Sequence, residues 1–310
     1  MTMHILDTIG STRLLPLRRL APADGARILV KMESENPTGS MKDRMALAMV
    51  RTPAADGRLP PGGPVVEYTG GSTGVSLALV CAALGHPLDI VTSDAFQREK
   101  LDHMRILGAR LHVLPSDGGR MTGELTRAMI ARAGEIAAGT GAFWTDQMRN
   151  RDQLAAYRAM ADELCAQAGG PIDAFVQSVG TAASLRGIGG RLREHDPAVR
   201  IVAVEPAESP VLSGGAPGGH GIDGVGAGFV VPLWQPGLAD EIVRVSTEAA
   251  TAMALRLARE EALFAGTSTG ANLVAAIGVA RRLGPGRTVA TVLCDTGMKY
   301  LGRFGRIAAG

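Results

Sequence analysis

Apolar positions along the chain alternate between short runs and longer segments with helical spacing. The short runs are rich in Val, Ile and Leu, and in most of the longer segments apolar residues recur every three or four positions. Such alternation is typical of β–α–β units, so the pattern predicts an α/β fold with mostly parallel, twisted sheets flanked by helices. The predicted strands cover 26–33, 63–69, 88–93, 109–115, 172–179, 199–206 and 287–295, and the predicted helices cover 40–51, 72–85, 95–108, 151–170, 184–195, 246–263 and 271–284.

Composition narrows the class of protein. With 310 residues, 46% of them hydrophobic, the chain can build one large domain or two ordinary ones. The net charge is only +2 and no basic block stands out, so neither nucleic acid nor a membrane surface is expected as a partner. The longest apolar run, "VSLALVCAALG", is too short to span a bilayer, and the N-terminus does not resemble a signal peptide. We therefore expect a cytoplasmic protein.

Several common kinds of site are not indicated by the sequence. The cysteines Cys81, Cys165 and Cys294 are odd in number and far apart, which favours free thiols in a reducing compartment. The six histidines show no metal-binding spacing, so no catalytic metal is expected. There is no GxxxxGK[ST] phosphate loop, and "GIGG" and "GVGAG" lack the spacing of a dinucleotide fingerprint. The stretch 209–229, rich in Gly and Pro, predicts a long loop of the kind that is often functional.

Three stretches rich in glycine and hydroxyl residues each follow a predicted strand and open a helix. They are "NPTGSMKDR" (36–44), "TGGSTG" (69–74) and "SVGTAASLRG" (178–187). The start of a helix offers unpaired N–H groups and the positive end of the helix dipole, and small side chains let an anion approach closely. Each stretch is thus a candidate anion site, the alternative for any one of them being an ordinary helix cap.

Lys42 lies at an unusual place for a lysine. With Ser40 as the N-cap, Lys42 falls in the first helical turn, where the dipole disfavours an ammonium ion by ~0.3–1 kcal/mol. Partial burial would act in the same direction. Both effects favour the neutral amine, which is the form that a Schiff-base lysine requires. The alternative is a surface lysine with no chemical role.

These motifs, taken in order, resemble those of a known enzyme family. "NPTGSMKDR" resembles the cofactor-lysine motif of the fold type II pyridoxal-phosphate enzymes, the cysteine synthase and cystathionine β-synthase family. "EYTGGSTGVSLA", "FWTDQMRN" and "SVGTAASLRG" are similar to its substrate loop, its glutamine segment and its phosphate loop. "AVEPAESPVLSGG", "GVGAGFVVP", "AGTSTGAN" and "LCDTGMKYL" continue the match through nearly the whole chain. The ordered set is specific, whereas any one piece is weak.

The resemblance implies a role for each matching residue. Lys42 would carry pyridoxal 5'-phosphate as an imine, and Thr296, rather than the adjacent Asp295, would offer a hydroxyl to the pyridine nitrogen. The residues implied to hold the phosphate are Gly180, Thr181 and Ser184, with the backbone around Ala182 and Ala183. Those implied to bind the α-carboxylate of an amino acid are Thr69, Gly70, Ser72 and Thr73, assisted by Gln147.

The resemblance also implies an architecture and an activity. A large cofactor-binding domain (1–35 and 147–310) and a smaller, mobile substrate domain (36–146) would flank the active site, and two chains would form a homodimer. The expected reaction is β-replacement on a serine-type amino acid by a small nucleophile, with O-acetylserine and sulfide as the leading pair. The alternatives are β-elimination, as in a dehydratase or desulfhydrase, or a catalytically weak member that acts as a binding partner.

The chain departs from the family pattern at three positions. Ser72, which the resemblance also implies as a cofactor-binding residue, stands where the family has an asparagine that touches the ring hydroxyl of the cofactor. Serine is shorter, so this contact is expected either to be lost or to be mediated by water. Ala182 and Ala183 stand where glycines are usual, so we expect the phosphate loop to use ordinary backbone angles with negative φ. These changes are consistent with a specialised member of the family.

Overall fold

The structure, a computed structural model, describes residues 3–119 and 122–309 and divides into two compact units. The first unit comprises residues 1–9 and 42–153, and the second comprises 10–41 and 154–310. The regular elements are β1 (Leu14–Pro16), β2 (Arg27–Met32), α1 (Lys42–Asp56), β3 (Val65–Tyr68), α2 (Ser72–Leu84), β4 (Leu88–Ser93), α3 (Arg98–Ile106), β5 (Arg110–Leu114), α4 (Gly123–Thr140), β6 (Phe143–Trp144), α5 (Gln153–Gln167), β7 (Ala174–Ser178), α6 (Ala183–His195), β8 (Arg200–Pro206), β9 (Glu241–Val245), α7 (Thr247–Glu261), α8 (Thr267–Leu283), β10 (Thr288–Leu293) and α9 (Leu301–Ala309).

The first unit is built on a parallel sheet of four strands in the order β5-β4-β3-β6. Strands β3 and β4 are buried along their whole length, because a parallel sheet is covered on both faces. Helix α4 turns Met129, Ala133 and Ile136 toward the sheet, and this apolar cluster continues through Val66 and Tyr68. The core therefore holds the carboxyl ends of β3 and β6 side by side.

The second unit contains a sheet of six strands in the order β1-β2-β10-β7-β8-β9. All its neighbouring pairs are parallel except β1 with β2. Strand β10 lies between β2 and β7, with Val289 opposite both Ile28 and Ala174, and it is buried at every residue. Helices α7 and α8 add apolar residues to this core, including Leu257 and Leu273.

The α/β fold class is confirmed, and all seven predicted strands and seven predicted helices are present, β4 with the predicted bounds and the others with shifted ends. The pattern did not predict the short strands β1 and β6, the edge strand β9 or the helices α4 and α9, and α8 begins at Thr267, four residues earlier than predicted. The loop prediction for 209–229 is confirmed, since this stretch contains neither helix nor strand. Glu205 helps to hold it, because its carboxylate accepts hydrogen bonds from the backbone N–H groups of Leu212 (2.8 Å) and Ser213 (3.1 Å).

The described residues contain neither a candidate membrane span nor a metal-binding cluster. Over 3–119 and 122–309, no helix combines the length and apolar character that a bilayer crossing requires. In the same ranges, no cluster of three or more His, Cys, Asp or Glu side chains is arranged to hold a metal ion. All three cysteines lie in the described residues and none is in a disulfide, and Cys81 and Cys294 are buried.

Candidate active site

Three chain segments of the second unit leave its sheet at one edge. Strands β2, β10 and β7 are parallel neighbours, so the segments that follow their carboxyl ends emerge together. These segments are 33–41, 294–296 and 179–182. In open α/β sheets the carboxyl edge is where ligands usually bind, and all three segments carry residues that the sequence singled out.

The predicted phosphate loop joins β7 to α6. Helix α6 begins at Ala183, and the residue at its N-cap position, Ala182, has no side chain that could cap it. The first-turn N–H groups therefore depend mainly on other partners, such as the 3.4 Å contact from the N–H of Ala183 to Oγ1 of Thr181. Just upstream, Oγ of Ser178 is buried without a hydrogen-bond partner among the described residues. An uncapped helix start among small and hydroxyl residues fits a phosphate dianion.

The prediction of ordinary backbone angles in this loop is wrong at Ala182. Its φ is 69° and its ψ is −7°, which is the left-handed region. The turn from β7 into α6 is so tight that the N-cap residue must take this conformation, while the carbonyl oxygen of Ala182 still accepts from the N–H of Arg186 at 2.9 Å. An alanine held there costs about 1–2 kcal/mol relative to right-handed angles. Ala183 behaves as predicted, because it begins the helix.

The long loop of the second unit contacts the phosphate loop. The N–H of Gly226 donates to the carbonyl oxygen of Val179 at 3.0 Å. A Cβ at Gly180 would lie 2.5 Å from the carbonyl oxygen of Gly224, so only glycine allows this approach. His220 lies 3.0 Å through Nε2 from the carbonyl oxygen of Gly226, and Nδ1 accepts from the N–H of Ile222. The "GVGAG" stretch is thus held against the start of α6.

Asp295 and Thr296 point to different surroundings. Oδ2 of Asp295 accepts a hydrogen bond of 2.6 Å from the hydroxyl of Tyr300, and burial together with this carboxylate raises the pKa of Tyr300 well above its usual value. Thr296 is half-buried, and its Oγ1 accepts from the N–H of Met298 at 3.3 Å. As an acceptor in that bond, the Thr296 hydroxyl keeps its hydrogen for donation. The arrangement supports Thr296, rather than Asp295, as a donor to a ligand.

The segment that leads to Lys42 is fixed to the end of β10. The N–H of Met41 donates to the carbonyl oxygen of Cys294, and the N–H of Thr296 donates to that of Gly39, both at 2.9 Å. Gly39 has a φ of +70°, and a Cβ there would lie 2.6 Å from the Thr296 methyl group. Lys42 is the next residue after Met41. It is half-buried and begins α1, so the predicted first-turn position is correct although Met41, not Ser40, directly precedes the helix.

The predicted carboxylate-binding loop of the first unit joins β3 to α2. Helix α2 starts at Ser72 with Gly71 at its N-cap, so no side chain at the cap competes for the first-turn N–H groups. Thr69 accepts from the N–H of Gly71 at 3.2 Å. Gly70 lies against Phe96, whose ring atoms would be 1.9 Å from an added Cβ. Thr69, Gly70, Ser72 and Thr73 therefore share one short turn whose helix start suits a carboxylate.

Gln147 lies at the same edge of the first unit's sheet. Strand β6 pairs in parallel with β3, so the residues after it lie beside the loop that follows β3. The side-chain Nε2 of Gln147 donates to the carbonyl oxygen of Tyr68 at 3.1 Å. Sequence reasoning missed the residue that holds this arrangement, Glu67, which is fully buried and contacts Gln147 directly. A charged residue inside the apolar strand "VVEY" was the available signal.

The predicted site residues thus form two groups, one in each unit. The second unit brings together, at its carboxyl edge, Gly180, Thr181, Ala182, Ala183, Ser184 and Thr296. The first unit brings together, at its own carboxyl edge, Thr69, Gly70, Ser72, Thr73 and Gln147. Lys42 begins α1, directly after the segment anchored on β10.

A comparison with protein families decides the identity of the fold and its cofactor. The model of the family described as pyridoxal-phosphate dependent enzyme matches residues 5–295. The chain belongs to the pyridoxal-phosphate-dependent enzymes. The prediction of this family, and of pyridoxal 5'-phosphate as the cofactor, is therefore confirmed.

Individual relatives cover nearly the whole chain. A cysteine synthase from Staphylococcus aureus is 38% identical over 300 residues, which is 96% of this chain and 95% of the relative. A probable cysteine synthase from Bacillus subtilis is 38% identical over 298 residues, or 95% and 94% of the two chains. The solved structure of an O-ureido-L-serine synthase superposes with a TM-score of 0.92 at 36% identity, covering 98% of this chain and 95% of that one.

Proposed function

We propose that this enzyme catalyses β-replacement on a serine-type amino acid, with O-acetylserine and sulfide as the first pair to test. The observation that carries the proposal is a pair of helix starts, α2 and α6, that each follow a parallel strand and have no side-chain hydrogen bond at the N-cap. The two anions of such a reaction, a carboxylate and a phosphate, need sites of this kind. The names of relatives at 38% identity support the same chemistry.

The second unit would hold the cofactor. Gly180, Thr181, Ser184 and the backbone of Ala182 and Ala183 would bind the phosphate at the start of α6. Thr296 would donate its hydroxyl hydrogen to the pyridine nitrogen, and a hydroxyl partner does not hold that nitrogen protonated as a carboxylate does. When bound, the cofactor supplies an electron sink that lowers the barrier to removal of the Cα proton. A mild sink favours loss of the β-substituent.

Lys42 would move the proton. Its Nζ would hold the cofactor in the resting enzyme and, once free, would take the proton from Cα as a general base. After the β-substituent has left with its bonding electrons and the nucleophile has added at Cβ, Nζ would return a proton to Cα. The start of α1 disfavours the ammonium form of this side chain by ~0.3–1 kcal/mol, which helps to keep a neutral amine. Lys42→Ala should therefore abolish turnover while the anion sites persist.

The first unit would hold the amino acid. Thr69, Gly70, Ser72 and Thr73 would bind the α-carboxylate at the start of α2, and Gln147 would add the second hydrogen of its Nε2. Ser72 would serve the substrate and would reach the cofactor only through water, because its side chain is shorter than the asparagine usual in the family. The substrate would be held by donors that do not change charge during the reaction.

Product analysis tests this proposal. Purified enzyme loaded with pyridoxal phosphate is given O-acetylserine with and without sulfide, and the products are quantified. β-Replacement predicts cysteine with sulfide, little pyruvate without it, and a change in the visible spectrum on adding the amino acid. An unchanged spectrum and no product from O-acetylserine or other β-substituted serines, with any sulfur, nitrogen or carbon nucleophile, would refute it. The same result would favour a member that acts as a binding partner.

β-Elimination is the second candidate. One solved structure with this fold is named a hydrogen sulfide-producing enzyme from Fusobacterium nucleatum, with a TM-score of 0.89 and 31% identity over 97% of this chain and 98% of that one. An eliminating enzyme would form pyruvate and ammonia from O-acetylserine or cysteine at the same rate with and without a nucleophile. The ratio of pyruvate to replacement product separates the two reactions.

The proposal also includes a homodimer, a location in the cytoplasm, and a division of the chain into a cofactor domain and a mobile substrate domain. Three cysteines that form no disulfide among the described residues support a reducing compartment. Sedimentation of the loaded enzyme at two concentrations should give a species near twice the chain mass of 32.1 kDa. A single species at the chain mass would remove the dimer from the proposal and leave the reaction untouched.

A further inference from the structure

Glu67 is a buried carboxylate that the proposed reaction does not use. It lies inside β3 with no exposed surface, yet it receives three hydrogen bonds. The donors are the N–H of Tyr68 at 2.8 Å, the hydroxyl of Thr145 at 2.6 Å and the N–H of Gln147 at 2.9 Å. Two of the three come from the segment after β6. The carboxylate therefore ties that segment to the end of β3.

Three hydrogen bonds, one of them to Glu67, hold the backbone and the side chain of Gln147. Its N–H donates to Glu67, its carbonyl oxygen accepts from Nε2 of Gln153 at 2.7 Å, and its own Nε2 donates to the carbonyl oxygen of Tyr68 at 3.1 Å. The side-chain nitrogen must face Tyr68, because a carbonyl can only accept. What remains for a ligand is one N–H hydrogen and the oxygen Oε1. Both are in a fixed orientation.

We propose that Glu67 is the positioning residue that fixes Gln147, and with it the donor offered to the α-carboxylate of the amino acid. This inference rests on the proposed function, because it uses the role assigned there to Gln147. Glu67 acts through the backbone of Gln147 and through Thr145. A positioning residue of this kind should affect binding of the amino acid much more than the later chemistry.

Because Glu67 is titratable, the alignment of Gln147 should depend on pH. Burial raises the pKa of Glu67 to about 7, the three donors act against this, and the nearby Asp146 adds to the rise. Oδ2 of Asp146 lies 3.5 Å from Nη1 of Arg149. Tyr68, the next residue along β3, stays neutral because burial and the charge of Glu67 raise its pKa above the usual range. When Glu67 binds a proton, one accepting oxygen of its carboxylate becomes a hydroxyl donor that faces groups which are themselves donors. Gln147 should therefore lose its alignment as the pH falls below 7.

Steady-state kinetics of Glu67→Gln test the inference in the loaded enzyme. The variant keeps the shape but places an amide NH₂ among three donors. Relative to the parent enzyme at pH 8, KM for the amino acid should rise about tenfold, while kcat changes by less than about threefold, as expected for loss of a charged hydrogen bond used equally throughout the reaction. The parent's KM is expected to rise between pH 8 and pH 6, and this rise should be absent in the variant.

Asp89→Asn is the matched control. Asp89 is a buried carboxylate on the neighbouring strand β4, where it contacts Nε2 of His112 at 2.7 Å, and no role in binding is assigned to it. Its KM and pH profile should equal those of the parent. An unchanged KM in Glu67→Gln, or an equal rise in Asp89→Asn, would overturn the inference.

A second variant covers the case in which Glu67→Gln does not fold. Thr145→Val removes one donor to Glu67 with little change in volume, and KM for the amino acid should rise about threefold at constant kcat. A KM equal to that of the parent would overturn the inference by itself. Failure of the proposed function looks different, because the parent enzyme would then show no turnover and no spectral change with the amino acid.

Discussion

Ala182 shows how one side chain can oppose the turn in which it lies. The phosphate loop requires a left-handed residue where α6 begins, and the chain supplies alanine with φ of 69°. Glycine would accept these angles without steric cost, although it loses more entropy on folding. The loop therefore carries strain that its sequence does not reveal, since an alanine there gives no sign of a positive φ.

Ala182→Gly should stabilise the protein. Relief of the left-handed strain outweighs the extra entropy of glycine, so the free energy of unfolding should rise by roughly 0.5–1 kcal/mol. The neighbouring Ala183→Gly, inside the helix, is the control and should lower it or leave it unchanged. Urea unfolding of the two variants and the parent measures both effects. Equal destabilisation by the two variants would show that Ala182 is not strained.

The turn between β3 and α2 depends on close packing at Gly70. The ring of Phe96 occupies the space that a Cβ would need, whereas an ideal Cβ on the next glycine, Gly71, meets nothing within 4 Å. The two glycines look alike in "TGGSTG", so the sequence could not distinguish them. The difference arises from Phe96, which lies on another loop and comes into contact only through the fold.

Gly70→Ala should be destabilising and Gly71→Ala nearly neutral. Overpacking against Phe96 should lower the free energy of unfolding by about 1–3 kcal/mol, and alanine fits the extended φ of −108° at Gly71. Thermal unfolding of each variant checks the pair. The account of this turn is wrong if the two variants unfold at the same temperature.

Sequence patterns predicted the sheets because parallel strands are buried on both faces and read as apolar runs, as in "TVATVL" of β10. The missed elements have weaker patterns. Helix α4 buries only Met129, Ala133 and Ile136 among many small residues, and β9 is only partly buried.

In the candidate site, the spacing of glycine and hydroxyl residues predicted the helix starts. The contacts of Glu67 were not predicted, because they join residues about 80 positions apart.

At the scale of the molecule, the buried charge of Glu67 should make stability depend on pH. Its pKa is about 7 in the folded protein and near 4.5 when unfolded, so the folded state binds more protons between these values. The stability contributed by Glu67 is complete below pH 4.5 and is lost as the pH rises to 7. The loss amounts to roughly 2–3 kcal/mol.

Glu67→Gln should remove this part of the pH dependence. The difference in free energy of unfolding between parent and variant, measured with urea at pH 5 and at pH 8, should shift by roughly 2–3 kcal/mol in favour of the variant at the higher pH. Other titrating groups are common to both proteins and cancel. A difference that stays constant across this range would mean that the carboxylate keeps its ordinary pKa despite its burial.

Lys42 is the residue proposed to bear the cofactor, and a direct test is possible because the sequence has only four lysines, Lys31, Lys42, Lys100 and Lys299. Lys31 is a clear contrast, since its buried Nζ donates to the carbonyl oxygen of Thr12 at 2.6 Å and forms an ion pair with Glu163. The loaded enzyme is reduced with borohydride, digested and mapped by mass spectrometry. The pyridoxyl mass is expected on Lys42 alone. The same mass on another lysine, with Lys42 unmodified, would contradict this proposal.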